Sequence, residues 1–287
     1  MSSWMRSIRG FWNLKSPEIR QSAFARIIAG GGLYVIDSEP ADTIRINAGS
    51  TKKGLFDLMT TRPALSPYAK PNFWMFQNDY DINTTNVWAQ GAVGSGTPLA
   101  CQDARGGQGI FTTGGADNDF YQYTSKYEIA KLTPGKDLWF LSGFLTRAIT
   151  ESDIFVGLSA RINSGTVNAT HNVFDTGAGN RYDAIGFIKH DGDAYIDIEC
   201  RKNGTATSSA AVATLGSLEE TWVGFHVIST SHVEFYIGTS LTTLTYVGTI
   251  VDNLPDDEEM AFIFGLRNGE ASTASLNINP SYVIQDI

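Results

Sequence analysis

The 287-residue chain is acidic, with 21 Lys and Arg against 30 Asp and Glu and a net charge of −9. Its two cysteines lack C-x-x-C spacing and its four histidines form no metal-binding pattern, so we predict no metal and no cofactor. No apolar run reaches the length of a membrane span. The lack of a basic and aromatic platform argues against nucleic acid as a partner.

Residues 1–71 differ from the rest of the chain in charge. Residues 1–70 carry a balance of +5, whereas the remainder carries −14. A capping Ser16 followed by Pro17 and Glu18 predicts the start of one short helix, which the glycines at 30–32 end. Two short strand-like runs follow, at 33–36 and 43–47. We interpret residues 1–71 as a basic N-terminal arm and connector.

The arm carries apolar and basic side chains that have no obvious partner within it. Large apolar side chains on such a segment usually dock on another surface, and its positive charge suits an acidic one. The predicted partner-binding residues are Trp4, Phe11, Trp12, Arg20 and Arg26.

From residue 72 onward the pattern is that of short strands separated by turns. Residues 138–147 are apolar on both faces, which predicts a strand covered on both sides. Two hairpins are expected, one joining 183–189 to 194–201 and the other joining 222–228 to 232–237. Alternation places Phe235, Phe262 and Phe264 on inward faces, opposite outward-facing Glu234 and Tyr236. We therefore predict an all-β sandwich over residues 72–287.

One strand, at residues 193–201, carries alternating polar side chains: Tyr195, Asp197, Glu199 and Arg201 share a face. Retaining glycosidases with a concanavalin A-like jelly roll have E-x-D-x-E on such a strand, because their mechanism needs two carboxyls roughly 5 Å apart. Asp197 and Glu199 match the second and third positions, but Tyr195 stands where the nucleophile belongs. We therefore predict no catalytic residue and interpret this face as solvent-facing polar surface.

Other candidate sites each have a structural explanation beside the functional one. The aromatic residues Trp74, Trp88, Tyr121 and Tyr123 could stack on a sugar, although core or subunit contacts are the commoner role. The Asp117–Asn118–Asp119 turn is rich in oxygen and could bind Ca²⁺, but Asp and Asn favour turns for backbone reasons alone. The acidic run at 256–259 reads as a solvated loop.

Three short motifs give the β body a resemblance to a known group. They are Gly115-Ala-Asp-Asn-Asp119, Asp183-Ala-Ile-Gly-Phe187 and Thr221-Trp-Val223. In this order they resemble tailed-bacteriophage virion proteins that have a concanavalin A-like lectin/glucanase jelly roll. The resemblance covers roughly residues 72–287 and leaves the arm unexplained.

The resemblance implies a fold and a function. The fold is a concanavalin A-like jelly-roll sandwich, preceded by the arm with one short helix. The implied function is that of a non-enzymatic capsid decoration or cement protein, made in the host cytoplasm and located in the virion. Its arm would dock on the major capsid protein or another virion subunit, and it would form a homo-oligomer such as a trimer. The alternatives are a tail-associated glycan-binding receptor module and, third, a polysaccharide hydrolase.

Overall fold

The structure, a computed structural model, describes residues 33–35, 44–46, 73–78, 87–102, 107–147, 149–160, 173–174, 182–240 and 243–286, with the backbone alone at 33–35, 44–46, 73–78 and 101–102. The chain divides into two units, Met1–Asn72 with Leu241–Thr243, and Phe73–Ser240 with Leu244–Ile287. No helix occurs among the residues described, and so none of them forms a membrane-spanning helix.

The first unit contains β1 (Leu33–Val35) and β2 (Ile44–Ile46), which pair antiparallel. This pairing confirms the two short strands predicted there. The predicted helix lies outside the described residues, and the role of residues 1–71 as an arm stays a prediction.

The second unit consists of two antiparallel sheets. Sheet I has the strand order β13-β12-β11-β10-β17-β7-β4, with β8 also paired to β17. Sheet II has the order β16-β15-β14-β9-β18-β6-β5, with β3 also paired to β18. The strands are β3 (Phe73–Asn78), β4 (Trp88–Val93), β5 (Thr97–Gln102), β6 (Gln108–Thr112), β7 (Phe120–Ser125), β8 (Ala130–Lys131), β9 (Leu138–Thr146), β10 (Ser152–Ala160), β11 (Ala184–Lys189), β12 (Tyr195–Lys202), β13 (Thr205–Thr214), β14 (Thr221–Ile228), β15 (His232–Gly238), β16 (Thr245–Ile250), β17 (Glu259–Asn268) and β18 (Ser275–Asp286).

The main core lies between the two sheets, where inward-facing side chains from both meet. Phe235, Phe262 and Phe264 are fully buried in it, which confirms their predicted interior positions. Rings from opposite sheets make direct contact: Phe140 of β9 lies 5.3 Å from Phe262, and Phe187 of β11 lies 5.4 Å from Phe235, measured between ring centroids. Both predicted hairpins, β11–β12 and β14–β15, are also confirmed.

A second apolar cluster covers the outer face of sheet I. It joins Phe155, Ile188 and Ile263, which point away from the main core, to Val173 and Phe174 from the connection between β10 and β11. Gly265 makes room for this contact, because a Cβ there would lie 3.0 Å from the Phe174 ring. The middle of sheet I is therefore buried on both faces.

Candidate functional site

The polar face of β12 is only partly the surface that the sequence indicated. Tyr195 is 49% exposed, but Glu199 and Arg201 are buried, at 8% and 2% exposure. The interpretation of this face as solvent-facing is therefore wrong for Glu199 and Arg201. The reason is that residues 173 and 174 cover the neighbouring part of the sheet.

Arg201 holds this covered face together. Its guanidinium donates from Nε to the Glu199 carboxylate and from Nη1 to the Val173 carbonyl oxygen, at 2.7 Å in the latter case. It also lies over the Phe155 ring, 5.5 Å from the centroid. Gln122 Oε1 accepts the Val173 amide proton at 3.1 Å. Glu199 therefore forms a buried ion pair with Arg201, and this role is structural.

Asp197, the other carboxylate of this strand, accepts a hydrogen bond from the Ala211 amide at 2.7 Å. Both carboxylates that matched the glycosidase pattern are therefore engaged by the protein itself. Tyr195 occupies the position that the nucleophile has in the glycosidase pattern. Nothing in this geometry favours an acid/base pair on β12.

The aromatic residues considered as sugar platforms belong to the core where they are described. Trp88, Tyr121 and Tyr123 are buried, as the commoner explanation predicted. Tyr123 accepts the Leu99 amide proton at 2.6 Å, and burial raises the pKa of its phenol. Only the backbone of Trp74 is described. The arm residues Trp4, Phe11, Trp12, Arg20 and Arg26 lie outside the described residues.

The Asp117–Asn118–Asp119 turn is explained by its backbone. Asn118 has a φ of 63°, a left-handed conformation that Asn tolerates well. Asp119 is buried, and its Oδ2 accepts the Ala116 amide proton at 3.2 Å. Within the described part of the chain, no group of three or more His, Cys, Asp or Glu side chains is arranged to hold a metal ion.

A different set of aromatic and polar side chains lies on the outer face of sheet II, where β15 and β16 pair. Phe235 pairs with Gly248 but Tyr236 pairs with Tyr246, so the register shifts by one residue. Such a β-bulge changes the direction of the side chains that follow it. Tyr246 and Thr249 consequently reach the same side, with the Tyr246 hydroxyl 2.8 Å from Thr249 Oγ1.

Tyr246 is exposed, and its ring contacts a buried neighbour. It is 57% exposed, and Tyr236 meets it edge-on with the ring centroids 6.0 Å apart. Tyr236 is buried and donates its hydroxyl to Glu234 Oε2 at 2.7 Å. Burial and this carboxylate raise the pKa of the Tyr236 phenol, so it remains a hydrogen-bond donor.

His226 extends the same face toward β9. Its buried ring stacks on Trp139 with the centroids 4.9 Å apart and the planes at 7°. Nε2 lies 3.2 Å from Asp137 Oδ2, while Nδ1 lies 3.9 Å from Glu234 Oε2, beyond hydrogen-bonding distance. Burial lowers the pKa of His226, although Asp137 and Glu234 oppose that effect.

We call this group the Tyr246 face; it comprises Trp139, His226, Glu234, Tyr236, Tyr246 and Thr249. An exposed ring provides a flat apolar surface, and a carboxylate has four lone-pair positions for hydrogen bonds. Glu234 uses one of them on Tyr236 and keeps others for a ligand. The arrangement is suited to a ligand with an apolar face and several hydroxyl groups.

A separate cavity of about 360 Å³ is lined by residues of β8, β17 and β18. Asp137 contacts both the cavity and the Tyr246 face. Its amide donates to Asp286 Oδ2 at 3.1 Å, and its carboxylate lies beside His226. An exposed ion pair, Lys131 with Glu259 at 2.9 Å, stands at the cavity. The lining residues are Glu128, Ile129, Ala130, Lys131, Thr133, Lys136, Glu259, Gln285 and Asp286.

Sequence reasoning did not find the Tyr246 face. The outward direction of Glu234 and Tyr236 was predicted correctly from alternation. The bulge that brings Tyr246 and Thr249 beside them cannot be read from an alternating pattern, because it breaks that pattern.

The two-sheet sandwich is similar to the concanavalin A-like fold of solved lectin structures. Lectin II from Ulex europaeus is similar with a TM-score of 0.53 and 12% identity, over 75% of this chain and 99% of that one. Peanut lectin is similar with a TM-score of 0.52 and 11% identity, over 74% and 97%. A protein of unknown function from Shewanella oneidensis MR-1 is similar with a TM-score of 0.52 and 14% identity, over 75% and 87%.

These likenesses concern the fold alone. At such low identity they carry no residue-by-residue correspondence. No protein-family model matches the sequence, and no curated protein matches it. The predicted concanavalin A-like sandwich is thus confirmed, while the phage origin implied by the sequence motifs stays a prediction.

Proposed function

We propose that this protein is a lectin-like, non-catalytic module that binds a glycan at the Tyr246 face. One observation carries the proposal: Tyr246 is an exposed aromatic side chain that contacts Tyr236 and Thr249 on a face that also carries the Glu234 carboxylate. A ring that neighbours already contact loses less conformational entropy when a ligand packs on it than a ring without such contacts.

Binding would divide between the ring and its polar neighbours. The apolar face of a pyranose would pack on Tyr246. Glu234 would accept hydrogen bonds from sugar hydroxyls, since its carboxylate is 29% exposed and is oriented by Tyr236. The Thr249 hydroxyl stands at the rim of the ring. The fold lends general support, because two of the similar structures are lectins.

The test is binding of the full chain to a glycan array, followed by titration calorimetry with the best ligand. We expect Tyr246→Ala to weaken binding at least tenfold, because it removes the stacking surface. Tyr127→Ala is the matched control, since Tyr127 is 75% exposed and follows β7 of sheet I, whereas Tyr246 belongs to sheet II. Equal affinity of the wild type and Tyr246→Ala would refute the site, and failure of the wild type to bind any glycan would refute the function.

A location in a virion is the second part of the proposal, and it is supported by the sequence motifs and by the basic arm on an acidic body. In a capsid, the arm would dock on the major capsid protein or another virion subunit, and the sandwich would stand on the surface as a decoration protein. In a tail, the same sandwich would present the Tyr246 face to host glycans. Glycan binding favours the tail position, because a receptor module requires it.

A further inference from the structure

His226 of β14 has one buried ring nitrogen that is not hydrogen-bonded. The residue is 7% exposed. Its Nδ1 has no hydrogen-bond partner among the described residues, whereas its Nε2 lies 3.2 Å from Asp137 Oδ2. A buried polar atom without a partner is rare in native structures and calls for an explanation.

The Asp137 carboxylate indicates which nitrogen of His226 carries the proton. An ionised carboxylate can only accept hydrogen bonds, so we assign the proton of the neutral ring to Nε2 and the lone pair to Nδ1. His226 pairs directly with Glu234 across β14 and β15, and Nδ1 lies 3.9 Å from Glu234 Oε2. Two acceptors therefore lie near each other, slightly beyond hydrogen-bonding distance and without a proton between them.

The groups around this pair decide how it responds to pH. The charged and titratable neighbours of His226 are Asp137, before β9, and Glu234 and His232 of β15. Glu234 Oε2 also accepts the Tyr236 hydroxyl at 2.7 Å, and Glu234 Oε1 lies 4.0 Å from His232 Nε2. Burial lowers the pKa of His226, while the two carboxylates oppose that effect and His232 adds to it.

We propose that His226 and Glu234 form an ion pair at acidic pH and that this ion pair weakens glycan binding at the Tyr246 face. The inference rests on the proposed function, since Glu234 is the carboxylate assigned to the sugar hydroxyls. A proton on Nδ1 turns this nitrogen into a charged donor, and a small rotation of the Glu234 side chain brings Oε2 within hydrogen-bonding distance. The lone pair that Oε2 would offer to a sugar is then used within the protein.

The direction of the pH dependence follows from the protonation of His226. An imidazole has an ordinary pKa of about 6.5, and burial lowers that of His226, so the neutral ring leaves Glu234 available above about pH 7. As the pH falls, the protonated fraction grows and the affinity for the glycan falls. Loss of one hydrogen bond to a charged group corresponds to about tenfold weaker binding.

The first experiment is titration calorimetry of the full chain with the best glycan from the array. The wild type should lose about tenfold in affinity between about pH 7.5 and pH 5. His226→Phe keeps a flat ring beside Trp139 but cannot take a proton, so its affinity should be the same at both pH values. Two controls should keep the loss: His232→Gln, which removes the other imidazole near Glu234, and His190→Phe, since His190 follows β11 of sheet I.

A second measurement needs neither a glycan nor a variant of His226. NMR of the imidazole nitrogens during a pH titration of the ligand-free protein should show that His226 gains its proton at Nδ1. Glu234→Gln should lower the pKa of His226, because it removes the carboxylate that pairs with the cation. Glu259→Gln is the matched control and should leave that pKa unchanged, since Glu259 pairs with Lys131.

The two measurements separate this inference from the proposed function. The ion pair would be overturned as the regulator by any of three results: equal glycan affinity at both pH values, a loss that persists in His226→Phe or disappears in His232→Gln, or a His226 pKa that Glu234→Gln leaves unchanged. Failure of the wild type to bind any glycan at either pH would instead refute the proposed function, and the regulation with it.

Discussion

Neutralising Glu199 should destabilise the protein, because Glu199 and Arg201 form an ion pair that is buried. Arg201 is 2% exposed, and its guanidinium donates to the Glu199 carboxylate and to the Val173 carbonyl. In Glu199→Gln the guanidinium remains charged but loses its ion pair with the Glu199 carboxylate. Breaking a buried ion pair from one side typically costs about 3–5 kcal/mol. A domain of this size has about 5–15 kcal/mol in total.

The assay is urea unfolding followed by tryptophan fluorescence, with the free energy of unfolding obtained by linear extrapolation. The expected loss corresponds to a fall in Tm on the order of 10 °C. The double variant Glu199→Leu/Arg201→Met should lose less than Glu199→Gln alone, because it removes both charges. Its remaining cost is the Val173 carbonyl, which loses its donor.

The control is Glu259→Gln, which breaks the exposed pair with Lys131. Exposed pairs contribute little to stability because solvent screens them, so this variant should unfold like the wild type. If Glu199→Gln and Glu259→Gln gave the same small change, Glu199 would be ordinary surface. The covering of sheet I by Val173 and Phe174 would then be wrong as well.

Two further predictions concern pH and the arm. Burial lowers the pKa of His226 below its unfolded value, so its contribution to stability is complete above about pH 6.5 and is lost as the pH falls through the folded pKa. The charged and titratable groups that face His226 are Asp137, Glu234 and His232. His226→Gln should reduce the loss of stability between about pH 7 and pH 5, as measured by urea unfolding. His190→Asn should increase the loss of stability over the same pH range, because Asp153 raises the pKa of His190 and the protonated imidazole stabilises the folded state at low pH. The same dependence of the unfolding free energy on pH in the wild type and both variants would contradict these two pKa shifts. Deleting residues 1–70 should leave a folded sandwich that no longer joins the virion, as measured by particle composition, and normal incorporation of the truncated protein would exclude an anchoring arm.

The sequence by itself determined the β architecture and the inward faces of its strands. Alternation in β15 and β17 predicted that Phe235, Phe262 and Phe264 are interior, since a strand with one apolar face must bury it. Turn residues between apolar runs predicted both hairpins. Such signals are local, and a local pattern is sufficient when the partner strand follows directly along the chain.

The tertiary structure alone decided which polar residues are surface and which are not. Glu199 has the sequence context of an exposed strand residue, but Val173 and Phe174, more than twenty residues earlier in the chain, cover the sheet beside it and make Arg201 its partner. Tyr246 reaches Tyr236 and Thr249 only through a bulge in the pairing of β15 with β16. Burial and register both depend on contacts between distant segments, and these contacts leave no periodic signal in either segment.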